Sequence, residues 1–177
     1  MEPTTGQLAQ HLRALTDARL LDPLEVLLES ADEVAGVRRQ IADRTGTWAR
    51  DILDGDRATA MRTVSRLIAA LYPGDGPFDP PARWWATPLG QAVVRRLGHP
   101  GAAVVSYPVA GAMLGVTRQF VHNLVTRGKL ERHPGGGVTV DSVRARLAAH
   151  PTTAPDATPG AAPPTAAHDG HDAGGRA

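Results

Sequence analysis

The chain of 177 residues is 42% hydrophobic, which suffices for one core of moderate size or two small ones. It contains no cysteine, so disulfides and thiolate zinc sites are excluded. No apolar run approaches the roughly 18 residues of a membrane span, and no basic N-terminal segment precedes an apolar one, so we expect a cytoplasmic protein without a membrane partner. The basic residues are almost all arginine, and alanine, glycine and proline are abundant, a composition that indicates a GC-rich genome such as that of an actinobacterium.

The net charge of +1 conceals an uneven distribution along the chain. Residues 1–80 carry nine arginines against thirteen acidic residues, a balance of −4, and the chain from residue 151 has a balance of −2. Residues 81–150 carry nine basic residues against two acidic ones, a balance of +7. A local excess of positive charge on a small module is typical of a phosphate-binding surface.

Residues 1–80 predict a bundle of helices. Thr4 and Gln7 have the spacing of a capping box, which predicts a first helix that extends to about Leu20. Asp22 as N-cap and Pro23 as the first helical residue predict the start of a second helix. Its apolar positions recur at helical spacing: Leu24, Leu27, Ala31, Val34, Ile41, Thr45 and Trp48.

That periodicity predicts one helix of about 25 to 30 residues, kinked at Gly36 or Gly46. A stripe of this length needs a partner. The other helices of the same chain are one candidate, and a second subunit is the other.

Asp56 is the predicted cap of a third helix, which ends near Tyr72. Residues 73–81 are rich in proline and glycine and predict a linker or an ordered crossing. Trp84 and Trp85 follow, and we expect at least one of them to pack the bundle against the basic module, with base stacking as the functional alternative. Thr87 and Pro88 predict the start of a further helix over residues 89–97.

Residues 107–147 predict two helices joined by a tight turn, then a hairpin and a last helix. Pro108 suits the first position of the first helix, and Gly115 suits a helix end that needs positive φ. Thr117 is the predicted N-cap of the second helix, which ends at Gly128. Between these helices and the last one, residues 130–133 and 138–140 predict short strands around a glycine-rich tip. Thr139 or Asp141 is the predicted cap of the last helix.

The polar face of the second of these helices is suited to reading base edges in a major groove. Arg118, Gln119 and His122 are the candidates for base contacts. Candidates for contacts with phosphate or sugar are Thr117, Asn123, Thr126, Arg127, Lys129, Arg132 and His133.

These residues resemble the winged helix-turn-helix of the MerR and phage-excisionase superfamily. The positions that carry the resemblance are Ala112, Leu114 to Arg118, Val121, Leu124, Val125, Gly128 and Leu130. Gly111 departs from the alanine that the family prefers, and we expect it to preserve the close helix packing at a propensity cost of about 1 kcal/mol. The resemblance implies double-stranded DNA as the partner.

The sequence therefore predicts a mainly α fold in three parts: a helical bundle over residues 1–80, a winged helix-turn-helix over residues 81–150, and a disordered tail over residues 151–177. The predicted function is sequence-selective DNA binding in transcriptional regulation, as a nucleoid-associated homodimer or cooperative array. An excisionase-like recombination accessory protein and a helical protein-interaction adaptor are the alternatives. No phosphate loop, nucleophile elbow or zinc-protease motif occurs, and His168, Asp169, His171 and Asp172 lie in the glycine-rich tail, so we expect no catalysis, cofactor or metal.

Overall fold

The computed structural model describes residues 2–149, and the predicted tail and its histidines lie outside them. The fold is mainly helical with one small antiparallel sheet of two strands. The helices are α1 (Thr5–Thr16), α2 (Asp22–Leu28), α3 (Ala31–Leu53), α4 (Arg57–Leu71), α5 (Ala82–Trp85), α6 (Pro88–Arg96), α7 (Tyr107–Leu114), α8 (Arg118–Thr126) and α9 (Val140–Ala149). The strands are β1 (Val104–Val105) and β2 (Val138–Thr139), and a π-helical turn over Asp17–Leu21 joins α1 to α2.

The start of α1 is confirmed, and α2 begins at Asp22 as predicted, but the prediction that Asp22 is its N-cap is wrong. The Thr4 hydroxyl accepts from the Gln7 amide, and the Gln7 side chain accepts from the Thr4 amide in return. Asp22 has helical backbone angles, φ −64° and ψ −43°, so the helical backbone continues from the π-helical turn into α2 without a side-chain cap. The Asp22 carboxylate instead binds Arg38, 3.1 Å away. A tertiary ion pair has replaced the local cap.

The prediction of one long helix after Asp22 is also wrong. Glu29 has left-handed backbone angles, with φ 51°, and ends α2, while Gly36 and Gly46 lie inside α3 without interrupting it. Arg38 of α3 binds Asp17, Asp22 and Glu25, and these ion pairs hold α2 back against α3. The apolar stripe is split as a result: Val34 is 1% exposed, whereas Leu27 is 80% exposed.

The third predicted helix is confirmed as α4, and the segment after it is an ordered crossing. The Asp56 carboxylate accepts from the Thr59 amide and caps α4. Residues 73–81 form neither helix nor strand. Phe78 in this segment packs against Tyr72 and Trp84, with ring centroids 5.6 and 5.1 Å apart. The predicted linker is therefore anchored by an aromatic cluster.

Helix α6 is the centre of the molecule. Thr87 caps its N-terminus as predicted, and α6 contacts α1, α3 and α4 on one side and α7 and α9 on the other. One continuous apolar cluster runs from Leu8 in α1 to Leu147 in α9, so the two predicted parts share a core.

Both tryptophans after the crossing segment are buried, as the packing prediction required. Trp84 contacts Tyr72 at the end of α4, and the short helix α5 packs against α6 and α7. Trp84 is 5% exposed and Trp85 is fully buried, so the base-stacking alternative for this pair is wrong.

Candidate nucleic-acid interface

Local capping defines the helix pair α7–α8. Ser106 precedes α7 and accepts from the Val109 amide, so Tyr107 is the first helical residue and Pro108 the second, one position later than predicted. Gly115 ends α7 with φ 70°, and the Thr117 hydroxyl accepts from the Phe120 amide at the start of α8, 3.2 Å away. The predicted turn and cap are confirmed.

Gly111 permits the close approach of α7 to the turn. Its carbonyl accepts from the Val116 amide at 2.9 Å. A Cβ atom at this position would lie 2.8 Å from the Val116 carbonyl oxygen, closer than real Cβ contacts. The glycine that departs from the family pattern is therefore required by this backbone geometry and is not merely tolerated.

Helix α8 buries one side and exposes the other. Val121 and Leu124 are buried in the core. The side chains exposed on the helix are Arg118, Gln119, Phe120, His122, Asn123 and Thr126. None of these is acidic, and the first turn of α8 contains no acidic residue. All five predicted contact residues within α8 are thus exposed on one short helix, although the Thr126 hydroxyl also donates to the His122 carbonyl oxygen at 3.0 Å.

Phe120 is a surface residue that sequence reasoning missed. It is 45% exposed at the beginning of α8, between polar neighbours. An aromatic residue is assigned to the core by default, but here Val121 and Leu124 occupy the buried positions of the helix. An exposed aromatic side chain beside Arg118 and Gln119 can contact an apolar group of a partner, such as a thymine methyl.

A hairpin follows α8. Its two sides are joined at a bridge between Arg132 and Val138, and the tip closes through a bond from the Gly136 amide to the His133 carbonyl oxygen, 3.0 Å. The first predicted strand is reduced to that bridge. The second is Val138–Thr139, because Val140 already begins α9. The Thr139 hydroxyl accepts from the Ser142 amide and caps α9, so of the two predicted caps, Thr139 and Asp141, the first is confirmed.

Strand β1 completes this sheet and was not predicted. Val104 pairs with Thr139 and Val105 with Val138, which ties the segment before α7 to the hairpin after α8. A strand of two residues has too few positions for an alternating pattern. Because β1 ends next to Ser106, the N-cap of α7, its pairing with β2 fixes the start of α7 relative to the hairpin.

The remaining predicted contact residues lie beyond the last turn of α8 and in the hairpin. Arg127, Lys129, Arg132 and His133 are all exposed. The His133 ring accepts from the Gly135 amide at 3.1 Å, which holds the imidazole against the tip of the hairpin. Glu131, the one acidic residue of the hairpin, accepts from the Thr139 hydroxyl at 3.1 Å.

The positive charge of residues 81–150 is not all on this surface. Arg96 donates to the carbonyl oxygens of Ile52, 3.1 Å away, and Gly55, and so satisfies the C-terminal end of α3. Arg144 lies 3.5 Å from Asp141 on α9. Charge counting along the sequence cannot separate such structural arginines from exposed ones. The exposed basic residues of the segment are Arg83, Arg118, Arg127, Lys129 and Arg132.

Comparison with models of protein families, with curated proteins and with solved structures finds no match. Within residues 2–149, no helix is both long enough and apolar enough to cross a membrane.

Proposed function

We propose that residues 104–149 form a winged helix-turn-helix that binds double-stranded DNA sequence-selectively, and that the protein regulates transcription. The observation that carries this proposal is the acid-free polar face of α8, which begins directly after a tight turn from α7. A recognition helix requires such a face, because base edges offer hydrogen-bond groups and the neighbouring phosphates repel carboxylates.

The exposed side chains suggest a division of roles. Arg118 and Gln119, in the first turn of α8, suit guanine and adenine edges, and Phe120 suits a thymine methyl. Lys129 and Arg132 would neutralise phosphates on either side of the groove. The first turn of α8 contains no acidic residue, and its Arg118 and Gln119 amides, which the Thr117 cap does not use, are available to phosphate oxygens as well.

Fluorescence anisotropy with a labelled duplex tests DNA binding directly. If about four to six phosphates are neutralised, log K falls with log salt at a slope of roughly −4 to −5. Residues 104–149 expose four basic residues, Arg118, Arg127, Lys129 and Arg132, which matches the lower end of that range. A slope near zero, or no binding in low salt, would refute the proposal.

Genome-wide mapping of the tagged protein separates regulation from the alternatives. Binding at several promoters supports a regulator, while binding at one attachment site supports a recombination accessory protein. The adaptor alternative is favoured by a specific observation, the exposed apolar residues of α2, of which Val26 is 75% and Leu27 80% exposed. An adaptor predicts no enriched DNA sites at all.

A further inference from the structure

A cleft lies far along the chain from α8, between the end of α1, the end of α4, the crossing segment and α5. Its volume is about 620 Å³, within the range of small-molecule sites. The residues that define its chemistry are Arg19, Tyr72, Phe78, Asp79, Arg83 and Trp84. It takes part in none of the proposed DNA contacts, so it calls for an explanation of its own.

Three aromatic rings form the apolar wall of the cleft. Tyr72, Phe78 and Trp84 pack edge to face, with centroids between 5.1 and 6.1 Å apart. Each ring is held by the other two, so the wall is formed before any ligand arrives. A preformed aromatic wall favours a planar apolar group, because little ordering entropy is lost on binding.

Two guanidinium groups lie at the same cleft. The Arg19 guanidinium stacks over the Tyr72 ring, 4.2 Å from its centroid, and one of its nitrogens donates to the Leu71 carbonyl oxygen at 3.0 Å. This contact fixes Arg19 and leaves its other N–H groups for a further acceptor. Arg83 is exposed at the lining, and Asp79 is the one carboxylate among the described residues that line the cleft. The lining therefore carries a net positive charge.

The wall also contains an unsatisfied donor. Trp84 is only 5% exposed, and its indole N–H has no acceptor among the described residues. A buried N–H without an acceptor is costly and uncommon in folded proteins.

We propose that this cleft binds a small planar apolar anion, an aromatic ligand with a single carboxylate or sulfonate group. The aromatic wall contacts the ring system, and Arg19 and Arg83 bind the anionic group. Arg83 is the better residue to change, because Arg19 also satisfies a helix end. The site does not depend on the proposed DNA binding, and each can fail without the other.

The test uses the full chain and two dyes that share one arene. The first, 8-anilinonaphthalene-1-sulfonate, joins a planar naphthalene ring to one sulfonate, and the second, N-phenyl-1-naphthylamine, lacks the sulfonate. We expect the sulfonate to bind with saturation at one site per chain and to change tryptophan fluorescence, because Trp84 lines the site. Arg83→Gln removes a charged donor, so we expect it to weaken sulfonate binding about five-fold or more and to leave the neutral dye unaffected.

Arg57→Gln is the matched control, since Arg57 is an exposed arginine of α4 that does not line the cleft. Thermal melting of each variant verifies that it is folded. Trp84→Phe is the second variant, and we expect it to reduce the fluorescence change while the protein remains folded, with Trp85, 4.8 Å from Trp84, contributing the remainder. Three outcomes would each overturn the proposal. The wild type could bind the two dyes equally, the wild type and Arg83→Gln could bind the sulfonate equally, or binding could fail to saturate. Tighter sulfonate binding after removal of residues 150–177 would assign the cleft to the chain's own C-terminal segment and overturn it as well.

Discussion

At the scale of single residues, the exposed side chains of α8 and the hairpin allow recognition to be separated from general attachment. We expect Arg118→Ala to cost about 1–3 kcal/mol on the preferred duplex and to relax selectivity there, because a base-edge contact is lost. Lys129→Ala and Arg132→Ala remove phosphate contacts, so we expect them to weaken all duplexes by similar factors. Competition anisotropy with a preferred and a scrambled duplex measures both effects. An unchanged ratio of the two affinities in Arg118→Ala would contradict this assignment.

His99 makes the stability of the fold depend on pH. Its ring lies 4.9 Å from Trp85, and its Nδ1 accepts from the Gly101 amide at 3.1 Å. Burial lowers the pKa of His99 below its ordinary value of 6.5, against a smaller opposing effect from the Asp79 carboxylate. The folded protein therefore prefers neutral His99. Its contribution to stability is complete above pH 6.5 and is lost as the pH falls through the lowered pKa of the folded state.

We therefore expect the free energy of unfolding to fall on acidification, and the fall to be smaller in His99→Gln than in the wild type. Urea denaturation at a neutral and a mildly acidic pH measures the difference. Burial lowers the pKa of His11 as well, so His11→Gln serves as a second comparison and part of the wild-type dependence remains in either variant. An identical loss of stability in the wild type and in His99→Gln would contradict the prediction.

At the scale of elements, Gln91 joins three helices. It lies in α6 and is 8% exposed. Its amide nitrogen donates to the carbonyl oxygens of Trp85 in α5, at 2.7 Å, and Met113 in α7, at 3.0 Å. These bonds satisfy the C-terminal end of α7 just before the turn into α8. The position of α8 thus depends on a buried amide in the core.

We expect Gln91→Leu to lower the free energy of unfolding by about 1–3 kcal/mol, because it leaves two buried carbonyl oxygens without a donor. Gln119→Leu, an exposed change of the same kind on α8, is the control and is expected to alter stability by less than about 0.5 kcal/mol. Urea denaturation followed by circular dichroism compares the two. Equal stability of Gln91→Leu and the wild type would show that the carbonyl oxygens find other donors.

The elements that the sequence predicted are those set by contacts between residues three or four positions apart. The caps at Thr4, Asp56 and Thr117 are local, as is the positive φ of Gly115, and each is confirmed. The end of α2 at Glu29 was missed because it depends on Arg38, which binds partners 13 to 21 residues earlier in the chain and so holds α2 back against α3. Strand β1 was missed for a similar reason, since its partner β2 lies across two helices.

The candidate interface was predictable to a comparable extent. Helical periodicity fixes which positions of α8 face solvent, so the exposure of Arg118, Gln119 and His122 followed from the pattern. The tertiary role of Arg96 did not, because its acceptors belong to the end of α3. The sequence pattern also does not predict the cleft, because the walls of the cleft come from four separate segments.

At the scale of the whole molecule, acidic and basic surfaces lie in different parts of the chain. Residues 1–80 have a balance of −4 and residues 81–150 a balance of +7. The first part therefore repels phosphates and is unsuited to DNA contact. It also exposes large apolar side chains on α2, a helix that buries none of its residues: Leu24, Val26, Leu27 and Leu28. An exposed apolar helix face is suited to contact with another protein surface.

We expect the exposed apolar side chains of α2 to pair two copies of the chain. A single DNA-reading module rarely reaches useful affinity, and paired modules commonly bind half-sites about one helical turn apart. The predicted apolar stripe contains both Leu27 and Val34, but only Leu27 is exposed. The variant that tests pairing is therefore Val26→Asp with Leu27→Asp. Both side chains are at least three-quarters exposed, and we expect this variant to keep its helicity by circular dichroism, to sediment as a monomer and to lose affinity for a two-half-site duplex. Val34→Asp is the contrasting control, since a carboxylate at a position that is 1% exposed is expected to unfold the N-terminal helices. If the wild-type protein sediments as a monomer both free and on its target duplex, the chain does not pair with a second copy, and the exposed face of α2 would instead bind a different protein.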